Sequence, residues 1–152
     1  MAEILYTARA HTTGGRDGSA ATPDGRIDLL IKPPKEMGGP DLPEATNPEE
    51  LFALGYGACF LSALSLMARS RKISAKAFHI DSEVHFVKSG DAEFSLAVDL
   101  HAEMPGVDDA QAAELLRATH RVCPYSKATR GNIPVRLFVG DREIDAEAQA
   151  AA

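Results

Sequence analysis

Cysteine is scarce in this chain: its 152 residues hold two, Cys59 and Cys123, and tryptophan is absent. Two thiols cannot form the disulfide framework of a small secreted domain, and neither is placed as a structural bridge normally would be. An excess of cations is missing as well. Sixteen Lys and Arg against 22 Asp and Glu leave a formal charge of -6, which argues against nucleic acid or an anionic membrane as the main partner. Met1 to Ala10 carries neither a basic n-region nor an apolar h-region, so no secretory signal is visible and a cytoplasmic location is expected. In that reducing compartment a cysteine pair is more often catalytic or redox-active than a static staple. The sequence also contains no glycine-rich dinucleotide fingerprint, no P-loop and no G-x-S-x-G.

What is present fits one soluble domain over residues 1–140, with an alanine- and acid-rich tail, 141–152, expected to fray. Hydrophobic residues at 45% and charged residues at 25% are ordinary for a globular chain. Glu3 to Ala10 reads as a strand, followed by a turn at Gly14-Gly15-Arg16-Asp17-Gly18. Arg26 to Ile31 reads as a second strand entered through Asp24-Gly25, and Pro33 to Ala45 as a Pro/Gly-rich loop. Asn47, Pro48 and Glu50 then supply a cap, a first-position proline and a capping-box glutamate for a helix.

That helix contains an uncharged apolar stretch, Leu51 to Ala68, long enough to raise a membrane span. Glycine, tyrosine, cysteine and serine inside it, acids before it and Arg69, Arg71 and Lys72 after it favour a buried soluble helix. A helix apolar nearly all round must be covered on every side, and one small sheet covers one face. A second copy of the chain is the expected cover, hence an obligate homodimer. Downstream, Lys76 to Lys88 and Glu93 to Glu103 alternate as a hairpin through Ser89-Gly90-Asp91. A helix starting at Asp108 or Asp109 runs to Pro124, a short turn or helical segment reaches Gly131, and Ile133 to Val139 closes as a strand. The order is that of an α+β domain.

The chemistry turns on Cys59. A thiol in an apolar helix is inert unless a positive charge reaches it. Lowering its pKa by about three units requires roughly 4 kcal/mol of preference for the thiolate. One guanidinium about 4 Å away, at an effective dielectric near 20, supplies that order of energy. Arg16, in its glycine-flanked turn, is the candidate, and Glu49 or Glu50 could grip its fork. Equally, Arg16 reads as a solvated turn residue and both glutamates as helix N-terminal acids. Ten residues of helix separate Glu49 from Cys59, about 15 Å along the axis, so a site shared between subunits is the more natural arrangement. Cys123 reads either as a small buried hydrophobe or as a thiol that resolves an oxidised Cys59. His120 lies three residues before Cys123, but no second ligand pair matches it, and His79, His85 and His101 show no convergent spacing. No metal and no bound cofactor are expected.

Together Gly14-Gly15-Arg16-Asp17-Gly18, Gly38-Gly39, Asn47-Pro48-Glu49, Gly55-Tyr56-Gly57-Ala58-Cys59-Phe60, and Cys123-Pro124-Tyr125-Ser126 with Ala128-Thr129-Arg130-Gly131-Asn132 resemble the organic hydroperoxide resistance proteins of the OsmC-like superfamily. Lys127 stands where that pattern leads one to expect Asn, and Glu50 where Gln is common. The resemblance implies an OsmC-like fold, with antiparallel sheets wrapped around central helices in an intertwined homodimer. It implies a cysteine-based peroxidase acting on organic and fatty-acid-like hydroperoxides. Cys59 would be the peroxidatic thiolate, Cys123 the resolving thiol, and Arg16 with Glu49 the activating pair. Dihydrolipoamide or a lipoylated protein would be the external reductant. The apolar residues Leu51, Phe52 and Phe60 are expected to wall the site against hydrogen peroxide and for alkyl substrates. Other readings are a thiol redox sensor or binding module without turnover, and a structural stress-induced dimer with inert thiols.

Overall fold

The computed structural model describes residues 2–147 and divides into two compact units between Leu51 and Phe52. The first unit is a four-stranded sheet in the order β1 (His11–Thr13), β2 (Gly18–Ala21), β3 (Asp28–Ile31), β4 (Ala45–Thr46). β1 to β3 pair antiparallel, and β4 lies parallel to β3 with Leu30 opposite Ala45. The strand expected at Glu3 to Ala10 is absent; pairing starts at His11, beside the turn that sets the register. A single 3-10 turn, Lys35–Met37, interrupts the loop before β4.

The helix start forms as its residues dictate. α1 spans Pro48–Ser70, with the Asn47 side chain accepting the Glu50 amide at 2.9 Å. This satisfies one of the amides that a helix start leaves without an internal partner. The Glu50 carboxylate accepts from the Thr46 hydroxyl at 2.7 Å.

The second unit holds the rest of α1 and a second sheet, β5 (His79–Ser89), β6 (Glu93–Glu103), β7 (Val135–Val139) and β8 (Arg142–Ile144), in that order. The expected β5–β6 hairpin is in register from His79↔Glu103 to Ser89↔Glu93. β7 runs parallel to β6, and β8 returns antiparallel to β7. Each sheet is antiparallel, as expected, apart from one parallel pair, β3–β4 in the first and β6–β7 in the second. β8 lies within the tail expected to fray, where Ile144 buries its side chain; residues 148–152 of that tail lie outside the described residues.

α2 (Asp109–Val122) is capped by Asp108, whose side chain accepts the Gln111 amide at 2.9 Å. α3 (Pro124–Thr129) follows after one residue, Cys123. The core joins Tyr56, Phe60 and Leu64 of α1 to Val98 and Leu100 of β6, Leu115 and Leu116 of α2 and Leu137 of β7. Each large apolar side chain fully buried there contributes about 1.5–3 kcal/mol. The opposite stripe of α1 is exposed at Leu54, Ala58, Ser62 and Leu66, and an open groove of about 250 Å³ runs beside Leu54, Ala58, Leu61 and Ile80.

Candidate active site

The turn that carries Arg16 depends on two of its glycines. A Cβ on Gly18 would stand 1.9 Å from the Thr13 carbonyl oxygen, and one on Gly14 would stand 2.6 Å from that of Asp17. Gly14 also has a φ of 69°, a left-handed conformation that costs glycine little. At the tip of this turn Arg16 donates from Nη1 to Glu49 Oε2 at 2.8 Å and from Nη2 to Oε1 at 2.6 Å. Such a fork fixes the orientation of the guanidinium as well as its position. The Glu49 side chain is 13% exposed against 37% for Arg16, so the carboxylate is the sheltered partner. The Arg16 hydrogen bonds hold the Glu49 carboxyl below the usual carboxylate range, against the opposing effect of burial. Glu49 in turn raises the pKa of Arg16. Of the two glutamates at the helix start, Glu49, the one the family resemblance names, is the one that grips.

In the second unit α1 and the α2–α3 junction bring the two cysteines together. The Cys123 thiol donates to Cys59 Sγ at 3.6 Å, with both cysteines free. Cys123 is buried and Cys59 half-buried. Burial pushes the Cys59 thiol up from its ordinary pKa; the Tyr125 backbone N–H lowers it and Cys123 raises it further. A thiolate at Cys59 therefore needs a cation brought to it.

Tyr125 stacks on Phe52 at 6.0 Å and lies against Gly55, where a Cβ would sit 3.2 Å from its hydroxyl. The aromatic wall is thus Phe52 with Tyr125. Phe60, expected in that wall, is fully buried on the core face of α1 and cannot line a substrate path. Sequence reasoning missed Tyr125, and it missed a buried hydroxyl cluster in which Tyr56 Oη lies 2.9 Å from Ser126 Oγ and 3.2 Å from Thr129 Oγ1. The available signal was a tyrosine in an otherwise apolar run, since a buried phenol needs a partner.

One grouping escaped the spacing argument. Cross-strand register sets Glu83 opposite Asp99, and Glu83, Asp99 and His101 offer ligand atoms within 4.8 Å of one another. His101 Nδ1 lies 3.1 Å from the Gly140 carbonyl oxygen. Asp99, however, already accepts from Arg136 Nε at 2.7 Å and from its Nη2. That guanidinium, helped by His85, holds the Asp99 carboxyl below the usual carboxylate range against the opposing effect of burial. Among the described residues these three are the ones that could hold an ion, in competition with Arg136.

The family model described as OsmC-like protein matches residues 39–138. The organic hydroperoxide resistance protein of Xanthomonas axonopodis pv. citri is 43% identical over 89% of this chain and 94% of its own length. This chain belongs to the organic hydroperoxide resistance proteins of the OsmC-like family. Within the family, the organic hydroperoxide resistance protein OhrA of Bacillus subtilis is 39% identical over 93% of this chain and 100% of its own. A crystal structure from Legionella pneumophila, described as an organic hydroperoxide resistance protein OsmC and predicted redox protein, superposes with a TM-score of 0.83. It is 43% identical and covers 91% of this chain and 99% of that one. The α+β architecture here is that of the family.

Proposed function

We propose that this protein is a peroxidase-type enzyme that detoxifies organic hydroperoxides in oxidative-stress defence, using Cys59 and Cys123. Family membership supports the broad role; the 3.6 Å approach of the two sulfurs is the observation that carries the chemistry. Cys59 thiolate attacks the distal peroxide oxygen, the O–O bond breaks, and the alkoxide leaves as alcohol after taking a proton. Arg16, held by Glu49, stabilises the thiolate and the charge developing on the departing oxygen. The product on the enzyme is Cys59 sulfenic acid. Cys123 then attacks that sulfur, its thiol proton leaves with the hydroxyl as water, and a Cys59–Cys123 disulfide forms. An external dithiol, dihydrolipoamide or a lipoylated protein, reopens it by exchange. The protein works as a cytoplasmic homodimer, the partner covering the exposed stripe of α1. Phe52 and Tyr125 favour alkyl over hydrogen peroxide.

A peroxidase assay with dihydrolipoamide, comparing cumene hydroperoxide with hydrogen peroxide, tests this reading. Many equivalents of cumene hydroperoxide consumed per chain, and fewer of hydrogen peroxide, are expected. Consumption that stops at one equivalent with dithiol in excess identifies a sensor and overturns it.

A further inference from the structure

We infer that the buried hydroxyls of Tyr56, Ser126 and Thr129 position Cys123 for disulfide closure, a role that rests on the thiol chemistry proposed above. Tyr56 stands three residues before Cys59 on α1, and Ser126 three residues after Cys123. The 2.9 Å Tyr56–Ser126 hydrogen bond therefore bridges the same two segments that carry the sulfurs, one helical turn from each. Thr129 Oγ1 adds a contact to Tyr56 at 3.2 Å and donates to the Tyr125 carbonyl at 3.0 Å.

The α2–α3 junction explains why such a clamp is needed. α2 ends at Val122, Cys123 turns the chain with φ -57° and ψ 126°, and α3 begins at Pro124. Proline has no N–H, so no helical hydrogen bond from it crosses the joint. Two backbone bonds, Cys123 N–H to Thr119 O at 2.8 Å and Lys127 N–H to Cys123 O at 3.0 Å, hang α3 from Cys123, and Tyr125 packs it on Phe52 of α1. Arg130 Nη2, donating to the His120 carbonyl at 2.5 Å, braces it towards α2. The hydroxyl cluster holds it to α1. Tyr56 and Ser126 are fully buried and Thr129 nearly so. Hydroxyls at such depth are costly unless bonded, and their bonds impose direction that apolar contacts do not. Closing a disulfide of about 2.05 Å from sulfurs 3.6 Å apart leaves little tolerance for drift.

The test separates the two steps of the cycle in Tyr56→Phe and Ser126→Ala, with Ser126→Thr as the conservative rescue. Each reduced protein receives one equivalent of cumene hydroperoxide, is quenched over time, and is resolved by mass into thiol, dimedone-trapped sulfenic acid and disulfide. Cys59 oxidation is expected at the wild-type rate in every variant. Disulfide closure is expected to slow about ten- to a hundredfold in Tyr56→Phe and Ser126→Ala, the order that an ångström of misplacement costs. Excess peroxide should then drive those two variants to sulfinic acid, and Ser126→Thr should restore closure. Wild-type closure rates in both variants overturn the inference, as does an equal fall in both steps. Tyr56→Phe decides alone should Ser126→Ala unfold, because it removes one oxygen and keeps the ring. A wild-type protein that forms no Cys59–Cys123 disulfide overturns the proposed function itself, before any variant is compared.

Discussion

Arg16 sits at the tip of a hairpin turn where an unpaired side chain would wander, and Glu49 takes its fork through two hydrogen bonds. Because the guanidinium lowers the folded-state pKa of Glu49, the stability this pair contributes is present above the ordinary carboxylate pKa. It is lost only as the pH falls through the depressed value. The ion pair should accordingly stay intact through the normal glutamate range, so the acid limb of peroxidase activity should report protonation of the Cys59 thiolate and not loss of the pair. In Glu49→Gln the acid limb should move to higher pH and activity should drop, as a pH–rate profile would reveal, because the loosened guanidinium no longer favours the Cys59 thiolate. Arg16→Ala should move the alkylation profile of Cys59 to higher pH, since burial alone already raises that thiol. An unchanged profile removes Arg16 from the proposed site. The choice of Glu49 over Glu50 was legible through the family resemblance but not through the residue pattern, where both acids suit a helix N-terminus. It follows from three-dimensional placement: Glu50 meets the Thr46 hydroxyl while Glu49 meets the turn.

Among the elements, α1 was the most legible, because its cap, its first-position proline and its apolar run all agree. Asn47→Ala should cost about 1 kcal/mol, measurable by denaturant unfolding. The β1–β2 hairpin was the least legible. His11-Thr12-Thr13 has no apolar alternation, and its strand exists because the turn holds it against Ser19, Ala20 and Ala21. Ile4, Leu5 and Tyr6, inside the strand expected at Glu3 to Ala10, are exposed. β4 is two residues long and rests on parallel pairing with β3, which local periodicity cannot report. β8 follows a turn at Gly140, with a φ of 56°, that the acidic tail disguised. Gly18→Ala should open the hairpin, because the new methyl meets the Thr13 carbonyl at 1.9 Å. Overpacking of this kind costs about 1–3 kcal/mol. Activity should fall with both thiols still titratable, and wild-type turnover in that variant would show that the turn geometry is dispensable.

For the whole molecule the open question is what covers the second face of α1. Leu54 is 70% exposed and Leu66 57%, on a helix whose other face is buried in the core. Sedimentation velocity should give twice the 16.2 kDa chain mass, and Leu54→Lys with Leu66→Lys should lower it or abolish soluble protein. A monomer at micromolar concentration sinks the dimer. The helices, the β5–β6 hairpin, the α+β class and the family can all be read along the chain, because caps, turn residues, period and motif spacing are local signals. The two-bond grip of Glu49 on Arg16, the 3.6 Å between Cys59 and Cys123, and the place of Phe60 in the core emerge only once the chain is folded. Each of these depends on segments distant in sequence meeting at one depth and angle, and hydrogen-bond geometry is set there, not by spacing.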